Sequence, residues 1–335
     1  MRDYTNQFID RINDIYPANY VLPTNSGTSA LISALYACNL TINDEVIIPV
    51  NSCAAVINAV ICVKAIPIFC DVDDQMQICF DSIKKVLNKS TKVIVIVHRF
   101  GSSCDLHKLK SILDEIKYEG ILIEDGAQAF GQKKTALLKP TGVSDIYITS
   151  FGYGKIIDID GGGLLLTNNK DIYTKAFRFS NLGADKIPFF LSYGLNFHLS
   201  KYLIPSILSA IEILDKNIME RRQKANYIYN KLKQFGFTDI QDYSNCVFHR
   251  LVLKKPKEKC LSDIINMINS NDIIVRNAYP FLLIDYNHIV RQFPSQAKKE
   301  YPNALCQKKT LLSLYVDHRY DEALINVIGE KLNIP

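Results

Sequence analysis

The sequence predicts an α/β protein: a mostly parallel sheet of seven strands covered on both faces, followed by a smaller α+β region. Three observations carry that class. Short runs rich in Val and Ile alternate with helical patterns up to about residue 170. The clearest of them, K-V-I-V-I-V at 92–97, is apolar on both faces, as a buried strand must be. Beyond residue 170 the rhythm changes to longer helices and then to short mixed elements.

Taken in order, residues 1–16 place Phe8, Ile9, Ile12 and Ile15 near helical spacing, which predicts an amphipathic helix. Residues 20–23 read as a strand, the loop 24–28 follows, and the Ala/Leu-rich run 29–38 reads as a buried helix. Strands are predicted at 45–49 and 66–70 around a helix at 53–63. A helix at 80–87, the strand at 92–97 and a helix at 106–118 come next. The strand 120–124 ends at Asp125, and strands near 145 and 163 complete the set. Ligand loops of such a sheet gather at the carboxyl ends of its strands, and its crossovers are right-handed. Residues 171–181 read as a helix, 187–201 as irregular and aromatic, and 207–235 as one or two long helices. The remainder reads as strand 247–253, helix 261–270, strand 273–276 and helix 321–332. The expected division is a large domain over 1–215 and a small one over 216–335.

Composition excludes several classes. A formal charge of +5, dispersed and without a long basic block, does not suggest nucleic acid. Nine cysteines lack paired spacing, so neither a disulfide framework nor a zinc site is expected. With no apolar signal core and no run of spanning length, the expected location is the cytoplasm.

Residues 149–163, T-S-F-G-Y-G-K-I-I-D-I-D-G-G-G, carry the chemistry. Glycines let backbone approach a ligand closely. A lysine between two buried strands loses hydration and can act as a neutral amine, which condensation with a carbonyl requires. Lys155 is that lysine; on this stretch alone it also reads as a surface residue in a Gly-rich turn. Asp125, at a strand end, is a helix cap or the carboxylate partner of a protonated ring nitrogen. Gln128 lies on the same turn. Asn25-Ser26-Gly27-Thr28-Ser29 opens a helix after a strand, as a cap or an anion cradle. An anion cradle, an acid and a Gly-flanked lysine in one α/β domain suit pyridoxal phosphate.

At these residues the chain resembles the DegT/StrS-type sugar aminotransferases of the aspartate-aminotransferase fold. Their S-G-T-A-A-L run resembles residues 26–31, and their G-D-E-V-I-V-P resembles 43–49. Their V-H-x-Y-G is similar to 97–101, their E-D-x-A-Q-A to 124–129, and their S-F-x-x-x-K with following glycines to 150–155. The run with which they reach across the dimer, Gly-x-Asn-x-Arg-Met, resembles residues 194–199. Arg221-Arg222 and L-S-L-Y at 312–315 follow in order.

The resemblance implies a homodimer with shared active sites and pyridoxal 5′-phosphate as cofactor. Lys155 would bond the cofactor's aldehyde and later shuttle the proton, Asp125 would hold the pyridine nitrogen, and Gln128 would support the ring. Gly27, Thr28, Ser29 and Ser150 would form the phosphate cradle, with Asn196 contributed by the partner. Cys53 falls where the family stacks an aromatic on the ring. The implied activity moves an amino group from an amino acid, glutamate in the family, to a keto sugar linked to a nucleotide, in glycan or secondary-metabolite biosynthesis. A related branch, the sugar 3-dehydratases, has histidine in place of the lysine, so Lys155 argues for transamination. The chain departs from the pattern at Cys53, at Gly162 and at His198, and it has no Trp, whereas the family opens further upstream with a Trp-containing run. Another cyclic ketone as acceptor, such as a keto-inositol, or a non-catalytic cofactor-binding sensor, are the alternative readings.

Overall fold

The computed structural model describes the chain except residues 1–3, 137, 140–141, 187–188, 270–273, 318–326, 329 and 333–335. Seven strands form the main sheet: β1 Tyr20–Thr24, β2 Glu45–Pro49, β3 Ile66–Cys70, β4 Thr91–Val97, β5 Ile121–Asp125, β6 Ile146–Ser150 and β7 Gly163–Thr167. Their spatial order is β1-β7-β6-β5-β4-β2-β3. Pairings from β6 through β3 are parallel, and β7 runs antiparallel to both β6 and β1. The carboxyl ends of β1, β2, β4, β5 and β6 and the start of β7 therefore share one edge of the sheet. Register makes this concrete: Gly163 pairs with both Thr24 and Ser150, and Asp125 pairs with Val97 and Ile148.

The helices are α1 Tyr4–Ile15, α2 Gly27–Ala37, α3 Ala54–Cys62, α4 Phe80–Val86, α5 Leu106–Glu115, α6 Lys170–Ser180, α7 Ile204–Glu212 and α8 Leu214–Leu232. Alternation along each strand decides what lies on each face. Val93, Val95 and Val97 of β4 join the cluster that holds α2 and α3, while Ile94 and Ile96 join the one under α5. Leu164 and Leu166 of β7 pack with α1 and α7. Each such buried aliphatic side chain contributes roughly 1.5–3 kcal/mol, which is why a continuous Val/Ile run makes a central strand.

A short hairpin, β8 Ala184–Lys186 and β9 Phe189–Phe190, follows α6 within the aromatic stretch; Ile187 and Pro188 fall outside the described residues. The C-terminal part holds a second sheet, β10 Thr238–Asp239, β11 Leu251–Lys254, β12 Arg276–Asn277 and β13 Leu311–Leu314, in the order β10-β11-β13-β12. Its helices are α9 Leu261–Ile268, α10 Asn287–Gln292, α11 Pro294–Ala297 and α12 Pro302–Thr310. Helix α8 links the two parts: Leu214 and Ile218 pack with α1 and α7, Ala225 and Ile228 with the second sheet. We propose the division at 215/216, at the start of this helix. Residues 278–311 return to the first sheet, where Tyr279, Leu282 and Tyr301 join the core over α2 and α3.

The strand expected at 247–253 begins only at Leu251. Val247 and His249 donate their backbone N–H groups to Gly101 and Phe100 instead (3.0 and 3.1 Å), and Phe248 takes a left-handed φ of 48°. Of the helix expected at 321–332, residues 327–328 and 330–332 are helical, and 321–326 and 329 lie outside the described residues. Residues 270 and 273 of the elements expected at 261–270 and 273–276 lie outside them too.

Candidate active site

The shared edge of the sheet brings most of the predicted residues together. At the end of β1, Ser26 caps α2: its Oγ accepts the Ser29 N–H at 3.1 Å, and its carbonyl accepts that of Ala30. The first turn of this 11-residue helix presents its positive end at the sheet edge. Ser29 is spent on the cap, with its hydroxyl donating to Asn25 Oδ1 at 2.5 Å. Gly27 lies so close to β6 that a Cβ there would come 2.6 Å from Ser150 Cβ. On the other side a Cβ on Gly163 would come 2.3 Å from the Ser26 carbonyl carbon. Strand end and helix end thus close a cradle with room for backbone alone, with the Ser150 hydroxyl and Thr28 at its rim.

Asp125 ends β5, buried, with its Oδ1 accepting the Ala127 N–H at 2.9 Å. Burial raises its pKa; the Ala127 N–H and the charges of Lys155, His98 and Arg99 oppose the rise. Lys155 follows β6 on the Gly-rich loop. Its pKa is lowered, first by burial, with Asp125 and Cys53 opposing the drop and Arg99 and Arg250 adding to it. Among the described residues no carboxylate lies within salt-bridge distance of its Nζ. The lysine is thus held toward the neutral amine inside the field of a single buried carboxylate.

The remaining predicted residues take distinct places. Gln128 Oε1 accepts the Phe100 N–H at 2.8 Å and so pins the loop after β4. Cys53 is exposed, at the cap position of α3 without a side-chain bond. Asn196 meets the cradle loop through its backbone, its carbonyl accepting from Asn25 Nδ2 at 3.4 Å, while its side chain is exposed. His198 pairs by its backbone with Thr24, and Gly162 donates its N–H to the Asn25 carbonyl. Phe151 is core and Tyr153 is exposed. His98 is fully buried, between Glu124 and the Cys104 N–H.

Three residues not singled out from the sequence also belong to this site. Arg99, after β4, and Arg250 and His249, before β11, all act on the Lys155 amine or are acted on by it. The signal present in the sequence was a charged residue, Arg99, in the run that ends β4; nothing local marks His249 or Arg250. Among the described residues no cluster of His, Cys, Asp or Glu suits a metal, and all nine cysteines are free. An amine, a buried carboxylate and a helix N-terminus therefore share one edge of the sheet.

The chain matches the DegT/DnrJ/EryC1/StrS aminotransferase family over residues 1–333. It is 27% identical over 280 residues to the GDP-perosamine synthase of Vibrio cholerae, spanning 81% of this chain and 75% of that one. It is also 27% identical over 285 residues to the 3-oxo-glucose-6-phosphate:glutamate aminotransferase of Bacillus subtilis, spanning 82% and 63%. The fold superposes on the crystal structure of NtdA from Bacillus subtilis with bound cofactor PMP at a TM-score of 0.90. That match has 24% identity and covers 99% of this chain and 77% of the other.

Proposed function

The chain belongs to the DegT/DnrJ/EryC1/StrS aminotransferase family, and on that premise we propose that it uses pyridoxal phosphate to move an amino group from glutamate to a nucleotide-linked keto sugar. The observation that carries the reading is the pair Lys155 and Asp125, a depressed amine and a buried carboxylate at the ends of adjacent strands.

When bound, the cofactor supplies an electron sink for the charge left on the substrate carbon. The protein's own residues do the rest. Gly27 and Thr28 N–H groups, with the Ser150 hydroxyl, bind the phosphate, and Asp125 holds a proton on the ring nitrogen. Lys155 Nζ, neutral after desolvation, takes the proton from the substrate carbon and delivers it back.

Exposed apolar side chains support a homodimer. Phe189 and Tyr193 are 72% and 93% exposed, beside Phe190 and Leu191 and on the same chain segment as Asn196. A patch of this kind marks a contact surface, and a partner there would bring its own Asn196 toward a neighbouring cradle. Among the described residues no helix is long and apolar enough to cross a membrane.

The reading is tested by absorption. Protein loaded with pyridoxal phosphate should carry a near-visible band that Lys155→Ala abolishes and that L-glutamate bleaches. A band that survives Lys155→Ala, or that no amino donor alters, refutes it. The acceptor is then found by offering keto-sugar nucleotides to the aminated enzyme and reading product mass.

A further inference from the structure

One buried side-chain amide ties together the loop after β4 and the segment that enters β11. Gln241 follows β10 and is 6% exposed. Its Oε1 accepts the Val252 N–H of β11 at 2.7 Å. Its Nε2 donates to the Arg250 and Phe100 carbonyls, at 3.1 and 3.2 Å, with Cys246 Sγ at 3.5 Å. The amide has one way round, because a backbone N–H only donates and the two carbonyls only accept. Its two hydrogens match those two carbonyls.

Around this amide the backbone leaves little play. The Phe100 carbonyl also accepts the His249 N–H at 3.1 Å, and the Gly101 carbonyl accepts that of Val247 at 3.0 Å. Phe100 and Phe248 take left-handed φ values of 54° and 48°, which non-glycine residues keep only where their surroundings impose them. A Cβ on Gly101 would come 2.6 Å from the Phe248 nitrogen, so the two segments meet main chain to main chain.

Each segment carries an arginine. Arg99 lies between His98, whose N–H donates to the Asp125 carbonyl at 3.0 Å, and Phe100, whose N–H is accepted by Gln128. Its guanidinium rests 4.9 and 5.1 Å from the ring centroids of Phe100 and Tyr279. Arg250 donates to Tyr315 OH at 3.0 Å, with its guanidinium 4.3 Å from that ring's centroid. Burial is the first cause of the lowered Lys155 pKa; Asp125 and Cys53 oppose the drop, and Arg99 and Arg250 add to it. Burial, Lys155 and the same two arginines also hold the neighbouring His249 neutral. The influence of a charge falls with distance, so it matters where each guanidinium is kept.

We propose that Gln241 is a positioning residue for the reaction: by holding the Phe100 and Arg250 carbonyls on one amide, it fixes Arg99 and Arg250 relative to Lys155. The proposal rests on the aminotransferase reading above. Gln241 touches neither substrate nor cofactor in this role and acts through the two arginines.

A pH titration of the Lys155-dependent absorption band of the cofactor-loaded protein tests it. Gln241→Met keeps the length of the side chain and removes its hydrogen bonds, so the arginines gain freedom to withdraw. The midpoint of the band should then rise by about 0.5–1 pH unit, roughly a three- to ten-fold gain in proton affinity. The same substitution in an Arg99→Met background should raise it by half as much or less, because one of the two charges it positions is gone. A general loosening of the site would raise both backgrounds equally. Gln241→Glu serves if Gln241→Met does not fold: it keeps an acceptor for Val252 and loses the donor to the carbonyls, and the effect of its added charge is the same in both backgrounds and cancels. Equal increments in the two backgrounds, or an unmoved midpoint, overturn the proposal. The band is read first: its absence from the wild type condemns the aminotransferase reading, and its presence with an unmoved midpoint condemns only the role of Gln241.

Discussion

His98 Nε2 lies 2.9 Å from Glu124 Oε2, and neither side chain has any exposure. The Cys104 N–H donates to His98 Nδ1 at 3.1 Å, so the ring proton sits on Nε2 and is given to the carboxylate. Glu124 also accepts from the Ala136 N–H at 2.9 Å and from the Ser144 hydroxyl. The backbone N–H of His98 in turn donates to the Asp125 carbonyl at 3.0 Å. This pair is the girder under Asp125, the carboxylate proposed for the ring nitrogen. Replacing His98 by Phe removes a donor from a buried carboxylate and should cost about 3 kcal/mol of unfolding free energy. His98→Gln, which can still donate, should lose less. Urea denaturation reads both, and equal losses for the two variants would contradict this role.

Gly27→Ala tests the cradle. The new methyl would sit 2.6 Å from Ser150 Cβ, a distance side chains do not tolerate. Pushing α2 from β6 should cost about 1–3 kcal/mol and weaken pyridoxal phosphate binding. Adding Ser150→Gly removes the opposing atom and should restore much of the stability, the signature of two coupled sites. Thermal melting and a cofactor titration are the measurements. A Gly27→Ala protein with wild-type values for both would show that the approach is not tight.

Acid should find His249. Burial, followed by the charges of Lys155, Arg250, Arg221 and Arg99, puts its pKa well below the ordinary 6.5. As pH falls through 6.5 the unfolded chain takes a proton there that the folded protein refuses, so the stability from the neutral ring is lost downward from that point. His249→Gln should remove this component. Below about pH 6 the wild type should lose up to about 1.4 kcal/mol per pH unit more than the variant. Parallel pH profiles of the two proteins would exclude it.

Charge placed on the exposed aromatic segment should split the proposed dimer. Phe189→Asp with Tyr193→Asp changes side chains that this chain leaves in solvent, so melting of the single chain should shift little. Light scattering should show mass falling from two chains to one, with cofactor affinity falling if Asn196 serves the partner's site. A double variant that remains dimeric would place the interface elsewhere.

Much of this was legible along the chain because it depends on near neighbours. A Val/Ile run such as 92–97 is buried on both faces wherever it goes, and the layered α/β arrangement followed from many such runs separated by helices. Lys155 and Gly27 stood out because loops between buried strands must bend, and glycines show where. The strand expected at 247–250 failed for the opposite reason. Its residues have strand character, but Phe100 and Gly101, some 150 positions away, took their N–H groups.

The sequence by itself determined the α/β class, the seven strands of the main sheet, and the lysine, carboxylate and cradle at their ends, because hydropathy period and backbone freedom are local properties. Only the tertiary structure decided that burial lowers the Lys155 pKa, that the buried Asp125 opposes that drop, and that the charges of Arg99 and Arg250 add to it. Charges act through space rather than along the chain. Desolvation depends on what every other segment packs over a group, so neither can be read until distant loops have met.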